Sequence, residues 1–511
     1  MKRARLLLTI CLWLALSAPA AQATCAAKDS AWLSVRSPNY LFVGDAAAAD
    51  MQQIARRFEQ FRTVFAAQFP AAGLHATVPT VVFVFRDEES YRPFRPVYQN
   101  RPVDFAGYFQ SGLDVNYVAL PVDGRARDAY AKIFHESVHL LIDSRARRMP
   151  DWLNEGLALY YSTFEFSDAD GKAVIGRPIA EYLRTLRTRN LLPLATLFAI
   201  ERDSADYNEA DKSGIFYAES WALVHYLISG HGGRRQLQIL RFLELCAAGV
   251  PVEEGFRKGF GVDYAGMERE LAAYLAQEIT GVKYTDAARP VALDADWQTA
   301  PLTEAEAEYY QGDLLLHIDR LEDATRHLRR ALELDERLAP AHAAFGVAAA
   351  RQRMFRDAVS HLRRAVALQP DSYLAHYYYA YGLSRQGMDE AQAVNAYTPE
   401  AATVMRAELN RAIELAPAFP ESYRLLAFVN LVTGEQLDEA TALLRRALVL
   451  APNRPDISYI LAEVYVRKGD WAEARDALRR VFRSGAPARL RARANTLLAR
   501  IDAEERAPVK H

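Results

Sequence analysis

Two imidazoles and two carboxylates in this sequence stand at spacings that suit one chemistry. His135-Glu136-Ser137-Val138-His139 lies within a mostly apolar stretch, DAYAKIFHESVHLLID, whose pattern reads as a helix. Residues four apart share one helix face, so His135 and His139 can present two ring nitrogens to a single metal ion. Glu136 is one residue on and can reach water held there. Sixteen residues after His139 stands Glu155, in Pro150-Asp151-Trp152-Leu153-Asn154-Glu155-Gly156-Leu157-Ala158, which reads as the start of a second helix. That interval allows a turn and a return helix, so Glu155 can add a carboxylate oxygen. Two neutral nitrogens and one carboxylate leave a fourth position open, the donor set of a catalytic rather than a structural zinc, one ion in all. Zinc lowers the pKa of bound water towards 7, and Glu136 can take its proton. The bland reading of the histidines alone is a pair of partly buried, satisfied side chains; Glu155 weighs against it.

These segments resemble the gluzincin metallopeptidases, especially the peptidase MA-like group and the aminopeptidase N family. The WLNEG-apolar-Ala segment is nearly that family's second-helix motif. The interval from the histidines to Glu155 is a few residues shorter than in aminopeptidase N, as is usual for the MA-like group. A third segment, Phe216-Tyr217-Ala218-Glu219-Ser220-Trp221-Ala222-Leu223-Val224-His225-Tyr226-Leu227, is similar to the family's segment whose tyrosine stabilises the oxyanion. The resemblance thus assigns His135, His139 and Glu155 to zinc, and Glu136 and Tyr217 to catalysis. It implies an α+β thermolysin-like zincin domain, a small mixed sheet followed by helices, that hydrolyses peptide bonds. Two departures stand out. Glu219 occupies the place of a lysine two residues after the tyrosine. Residues 106–121 lack the glycine–acidic–asparagine motif that grips a free amino end, which argues against aminopeptidase specificity. A strand there can still pair with an extended peptide.

The elements that must position these groups are legible in outline. Strands are expected at Tyr40–Val43, Thr80–Phe85, Gly107–Gln110 and Asn116–Leu120, rich in Val, Phe and Tyr. Met51, Ile54, Phe58, Phe61 and Phe65 recur at three- and four-residue steps and predict a helix from about 46 to 69. Residues 126–280 read almost wholly helical, so the metallopeptidase-like domain spans 24–281. Residues 282–303 lose periodicity, carry prolines and read as a linker. From 304 to 487 the chain repeats itself. Ala331 and Ala365 open similar segments 34 residues apart, as do Ala447 and Val481, while Ala412 fits the series with an insertion near 388–402. A 34-residue helix–turn–helix period resembles the tetratricopeptide repeat and implies an all-α solenoid of about five repeats, closed by a capping helix and tail at 488–511. Such stacks leave a concave groove. Tyr377 and Tyr381 fall where the repeat family lines that groove, and are candidate peptide contacts; Tyr379 is expected in the core.

The 511 residues are 51% hydrophobic and 25% charged, which excludes a largely disordered protein. A net charge of −2 gives no basic excess for nucleic acid. Lys2, Arg3 and Arg5 precede an apolar run at 6–18, too short to span a bilayer, and Ala21-Gln22-Ala23 reads as a cleavage site. The expectation is a signal peptide over 1–23 cut after Ala23, a secreted or periplasmic protein and no membrane span in the mature chain. Cys25 and Cys246 would remain, and a bridge between them is one of two open outcomes. The expected partners are a peptide or protein substrate and a protein in the repeat groove. The rival reading is a catalytically silent peptidase-like scaffold acting through its repeats.

Overall fold

The computed structural model describes residues 32–68, 78–98, 101–102, 106–122, 126–143, 149–167, 171–200, 210–277, 279, 282–286, 297–386, 394, 396–452, 454–483 and 486–506. The expected signal sequence and Cys25 lie outside these residues, so neither the cleavage nor the bridge is addressed; Cys246 is buried.

A six-stranded mixed sheet organises the first half. Its strands are β1 (Leu33–Arg36), β2 (Leu41–Gly44), β3 (Thr80–Phe85), β6 (Tyr108–Gln110), β7 (Asn116–Pro121) and β11 (Thr299–Pro301), in the order β11-β1-β2-β3-β7-β6. The contacts β2–β3 and β3–β7 are parallel and the rest antiparallel. Short β4 (Val97–Tyr98) and β5 (Arg101–Pro102) pair with each other, and β8 (Glu165–Ser167), β9 (Lys172–Ile175) and β10 (Lys283–Asp286) form a second antiparallel sheet. β3 and β7 are buried along their whole length, which explains their uninterrupted TVVFVF and NYVALP runs: strands covered on both faces need no polar alternation.

One face of the large sheet is covered by helices α1 (Ala48–Gln68) and α3 (Ala126–Asp143); between them in sequence, the single turn α2 (Glu88–Tyr91) follows β3. Val35, Phe42, Val82, Val84, Val118 and Leu120 meet Met51, Ile54, Phe58, Ala129 and Ile133 there. A second core joins α1 and α3 to α4 (Asp151–Ser162) and to the helix Ala210–Ser229, and is centred on Trp152, Leu157, Tyr160, Tyr161 and Trp221. Phe61 and Phe134 stack with ring centroids 4.4 Å apart and lock α1 to α3.

The opposite face meets the repeats. Among the described residues five helix pairs follow one another: Glu304–His317 with Leu321–Leu334, Ala339–Arg351 with Phe355–Leu368, Tyr373–Gln386 with Pro399–Leu415, Pro420–Thr433 with Leu437–Leu450, and Pro455–Lys468 with Trp471–Arg483. Ala488–Arg506 packs on the last pair. Small residues let paired helices touch: a methyl on Gly312 would lie 2.7 Å from Leu328 Cγ, and Ala324, Ala358, Ala440 and Ala474 are fully buried. The first helices of the opening pairs lie against the sheet. Leu314, Leu315, Ala344 and Ala348 share one core with Val43, Val81, Phe83, Phe85, Tyr117 and Ala119.

This packing changes two expectations. Residues 282–303 are not a bare linker: β10 pairs with β9, and β11 extends the large sheet by pairing with β1, Ser34 opposite Ala300. Tyr377 is not a groove contact. It is 5% exposed and packed with Val78, at the foot of β3, and with Phe419, ring to ring at 5.2 Å. Tyr379 is half-buried instead, and Tyr381 remains half-exposed in the groove with the Arg385 guanidinium 4.7 Å from its ring centre.

Candidate metal centre

α3 and α4 carry the expected groups. Pro150 is the N-cap of α4, with extended backbone and its carbonyl accepting from the Leu153 and Asn154 N–H groups, while the four-residue spacing on α3 aligns the two histidines. His135 Nε2 and His139 Nε2 are 3.1 Å apart, and Glu155 Oε2 lies 3.5 Å from the first and 3.6 Å from the second. No other group of three or more such ligands occurs among the described residues.

These distances can be set against the donor spacing of a metal site. A protonated imidazole bonded directly to a carboxylate draws N and O to about 2.8 Å. An ion about 2.05 Å from each of three tetrahedral ligands sets them about 3.35 Å apart. The edges of the observed triangle, 3.1, 3.5 and 3.6 Å, scatter about that length. A point about 0.6 Å above its plane lies about 2.05 Å from all three atoms, the ligand distance zinc takes with nitrogen and oxygen. The donors therefore fit the ion. Two ring nitrogens and one carboxylate oxygen converge on one point in a largely buried setting, a group that could hold one metal ion. Burial alone would raise the Glu155 carboxyl, but the facing His135 and His139 rings hold it well below the usual carboxylate range.

A residue not singled out from sequence completes the support. His139 Nδ1 lies 3.1 Å from Asn154 Oδ1; since an amide oxygen only accepts, Nδ1 carries the proton, and in the neutral ring this leaves Nε2 as the nitrogen that can ligate. The signal was present as the Asn immediately before Glu155 in WLNEG.

Glu136 is turned about 100° round α3 from His135. It is seven residues, nearly two turns, beyond Ala129, and a methyl on Gly107 would lie 3.1 Å from Ala129 Cβ, so this face of α3 looks towards β6. Among the described residues strand β6 is a sheet edge, paired only with β7. By helical phase Glu136 falls on the β6 side of α3, half-buried.

Tyr217 lies on the Ala210–Ser229 helix, half-buried against the core that holds Trp152 and Leu157 of α4. Gly156 brings the two helices into backbone contact: a methyl there would collide with the Ser220 carbonyl and come within 2.5 Å of Val224 Cγ2. Tyr217 is one turn before Ser220, and Glu155 one residue before Gly156. Glu219 faces away. Buried, it accepts from Leu192 N–H at 2.9 Å, and burial, with Glu268 nearby, pushes its carboxyl up to about 7 against that hydrogen bond. A second tyrosine, Tyr182 on α5 (Ala180–Thr188), sits 6.2 Å from the Trp221 ring, and its phenol is pushed up to about 12 by burial and then by the charges of Glu181 and Glu155. No sequence signal pointed to it, because its helix lies between the recognised segments.

Residues 114–277 match the Peptidase MA superfamily and residues 431–501 match a tetratricopeptide repeat, so the chain carries a peptidase MA domain followed by tetratricopeptide repeats. No curated protein matches the sequence. Solved structures similar to it include a thermophilic tetratricopeptide repeat protein of Thermus thermophilus, at 21% identity over 38% of this chain and 99% of that one, TM-score 0.33. PilF of Pseudomonas aeruginosa is 20% identical over 39% and 90%, TM-score 0.32. MamA of Desulfovibrio magneticus is 20% identical over 36% and 96%, TM-score 0.30. Among the described residues no helix is long and apolar enough to cross a membrane.

Proposed function

We propose that the protein is a secreted or periplasmic zinc metallopeptidase of the gluzincin type, on a thermolysin-like zincin fold, that cleaves internal peptide bonds. The observation that carries this reading is the triangle of His135, His139 and Glu155, whose edges scatter about the ligand spacing of one tetrahedral zinc. Zinc, when bound, supplies a Lewis acid for water and the scissile carbonyl. The remaining chemistry belongs to the chain. An extended peptide lies along the open edge of β6, backbone to backbone, which places its amide over the histidine face of α3. Glu136 accepts the proton of the attacking water and returns it to the leaving amine. Tyr217 donates its phenol hydrogen to the oxygen that becomes negative.

The repeats serve a second role in this proposal. Their opening helices are occupied by the sheet, so a partner or protein substrate is received by the later groove, lined by Tyr381, Phe428, Tyr459, Arg424 and Arg493. The test is cleavage of an unbiased peptide library by the zinc-loaded full chain. Cuts within the peptides that vanish with a chelator and return with zinc are expected; a fully zinc-loaded chain that cuts nothing would favour a silent scaffold.

A further inference from the structure

The β6–β7 hairpin carries the open strand edge on one arm and is held at its turn by the repeats. Asp114, in that turn, is 8% exposed, and both its carboxylate oxygens lie 3.3 Å from Nε2 of His317 on the first repeat helix. The other nitrogen, Nδ1, is 2.8 Å from the Asp313 carbonyl oxygen of the same helix. A carbonyl and a carboxylate both accept, so each ring nitrogen must donate and the imidazole is held as a cation. Asp313 adds a second carboxylate 3.7 Å from Nδ1 and receives the Tyr117 hydroxyl from β7. Tyr117 packs on the imidazole with ring centroids 5.0 Å apart. Tyr309 and Tyr310 of the same repeat helix, and Tyr373 and Tyr377 of the third repeat, are further titratable groups that interact with the two carboxylates. Burial works against the charged ring, but Asp313 and Asp114 outweigh it and hold it up at about 9. At the other end of β6, the Tyr108 hydroxyl donates to Phe94 O at 2.7 Å, and Phe94 lies 6.2 Å from the His327 ring of the first repeat.

We propose that His317 is a positioning residue for the peptidase reaction: by gripping Asp114 across the junction it fixes the β6–β7 hairpin, and so the distance of edge strand β6 from the catalytic helix α3. This rests on the peptidase reading above. The logic is mechanical. β6 has three residues and, among the described residues, a ladder on one side only, so its own hydrogen bonds hold it weakly. The turn four residues beyond Gln110 is where an outside anchor has most effect. The opening repeats are thereby part of the substrate site's support, and recruitment is left to the later ones.

The experiment compares full-length, zinc-loaded wild type with His317→Gln, which keeps a donor but loses the charge. Hydrogen exchange over 106–117 should quicken about tenfold. Zinc content should not change. On a library-derived peptide KM should rise about fivefold or more with kcat within about twofold, since substrate docking is lost and chemistry is not. His317→Lys should recover part of both effects. Should His317→Gln fail to fold, Asp114→Asn in the turn should give the same local exchange and KM changes. Unchanged exchange over 106–117 in both variants would overturn the proposal, as would faster exchange spread evenly over sheet and repeats. If the wild type cuts no peptide, the peptidase reading fails, and the exchange comparison still decides whether His317 holds the hairpin.

Discussion

Gly156→Ala tests how the site is assembled. Gly156 is where α4 and the Ala210–Ser229 helix touch, one residue from Glu155 and one turn along from Tyr217. An added methyl would collide with the Ser220 carbonyl oxygen and sit 2.5 Å from Val224 Cγ2. Ordinary carbon contacts begin near 3.5 Å, so the helices must part by about 1 Å. Overpacking of this kind costs about 1–3 kcal/mol, and the better helix propensity of alanine returns at most about 1. The expected net loss is about 1–2 kcal/mol by urea unfolding. A 1 Å displacement at a catalytic site costs about a hundredfold in turnover, and peptide cleavage should fall accordingly. Gly214→Ala is the control: it lies on the same long helix, a methyl there meets nothing within 4 Å, and it should be neutral or stabilising by up to about 1 kcal/mol. Equal stability and equal cleavage in the two variants would refute the close-approach argument.

Glu136→Gln should keep zinc and lose about a hundredfold or more in turnover, measured on any peptide the wild type cuts. Tyr217→Phe should lower kcat about a hundredfold with little change in KM; if Tyr182→Phe does so instead, the oxyanion donor comes from α5. Glu219 has a folded pKa raised from 4.5 to about 7, so its contribution to stability is complete below pH 4.5 and is lost as pH rises through 7. The shift of 2.5 units corresponds to about 3 kcal/mol, so Glu219→Gln should gain up to that much on wild type at pH 8 and nothing at pH 4.5 in paired unfolding curves. A chain ending at 303 would bare Val43, Val81, Phe83, Phe85 and Tyr117, and should aggregate or bind a hydrophobic dye, where an independent domain would stay monomeric.

The parts of the site that sit close in sequence were legible because helix geometry is local: four residues fix the His135–His139 spacing, and a turn with a return helix brings Glu155 to them. The repeats were legible for a similar reason, since each helix pair mostly meets its neighbour. What escaped was non-local. β11 is three residues, TAP, with no alternation to announce it, and it becomes a strand only by pairing with β1 some 266 residues earlier. Tyr377 follows the groove spacing of its repeat but is buried because Val78 comes from the sheet to cover it. One sign of that second layer was readable: TVVFVF has no polar face, so β3 had to be covered on both sides. Asn154 was overlooked because its partner, His139, lies on the preceding helix.

The most direct test of the account is the metal content of the purified, folded chain after zinc loading and exhaustive buffer exchange, read beside His139→Ala and Glu155→Ala. The account predicts about one zinc per wild-type chain and loss of tight binding in each variant, because two ligands cannot replace three. A wild-type chain that holds no zinc, or variants that keep it, would contradict it.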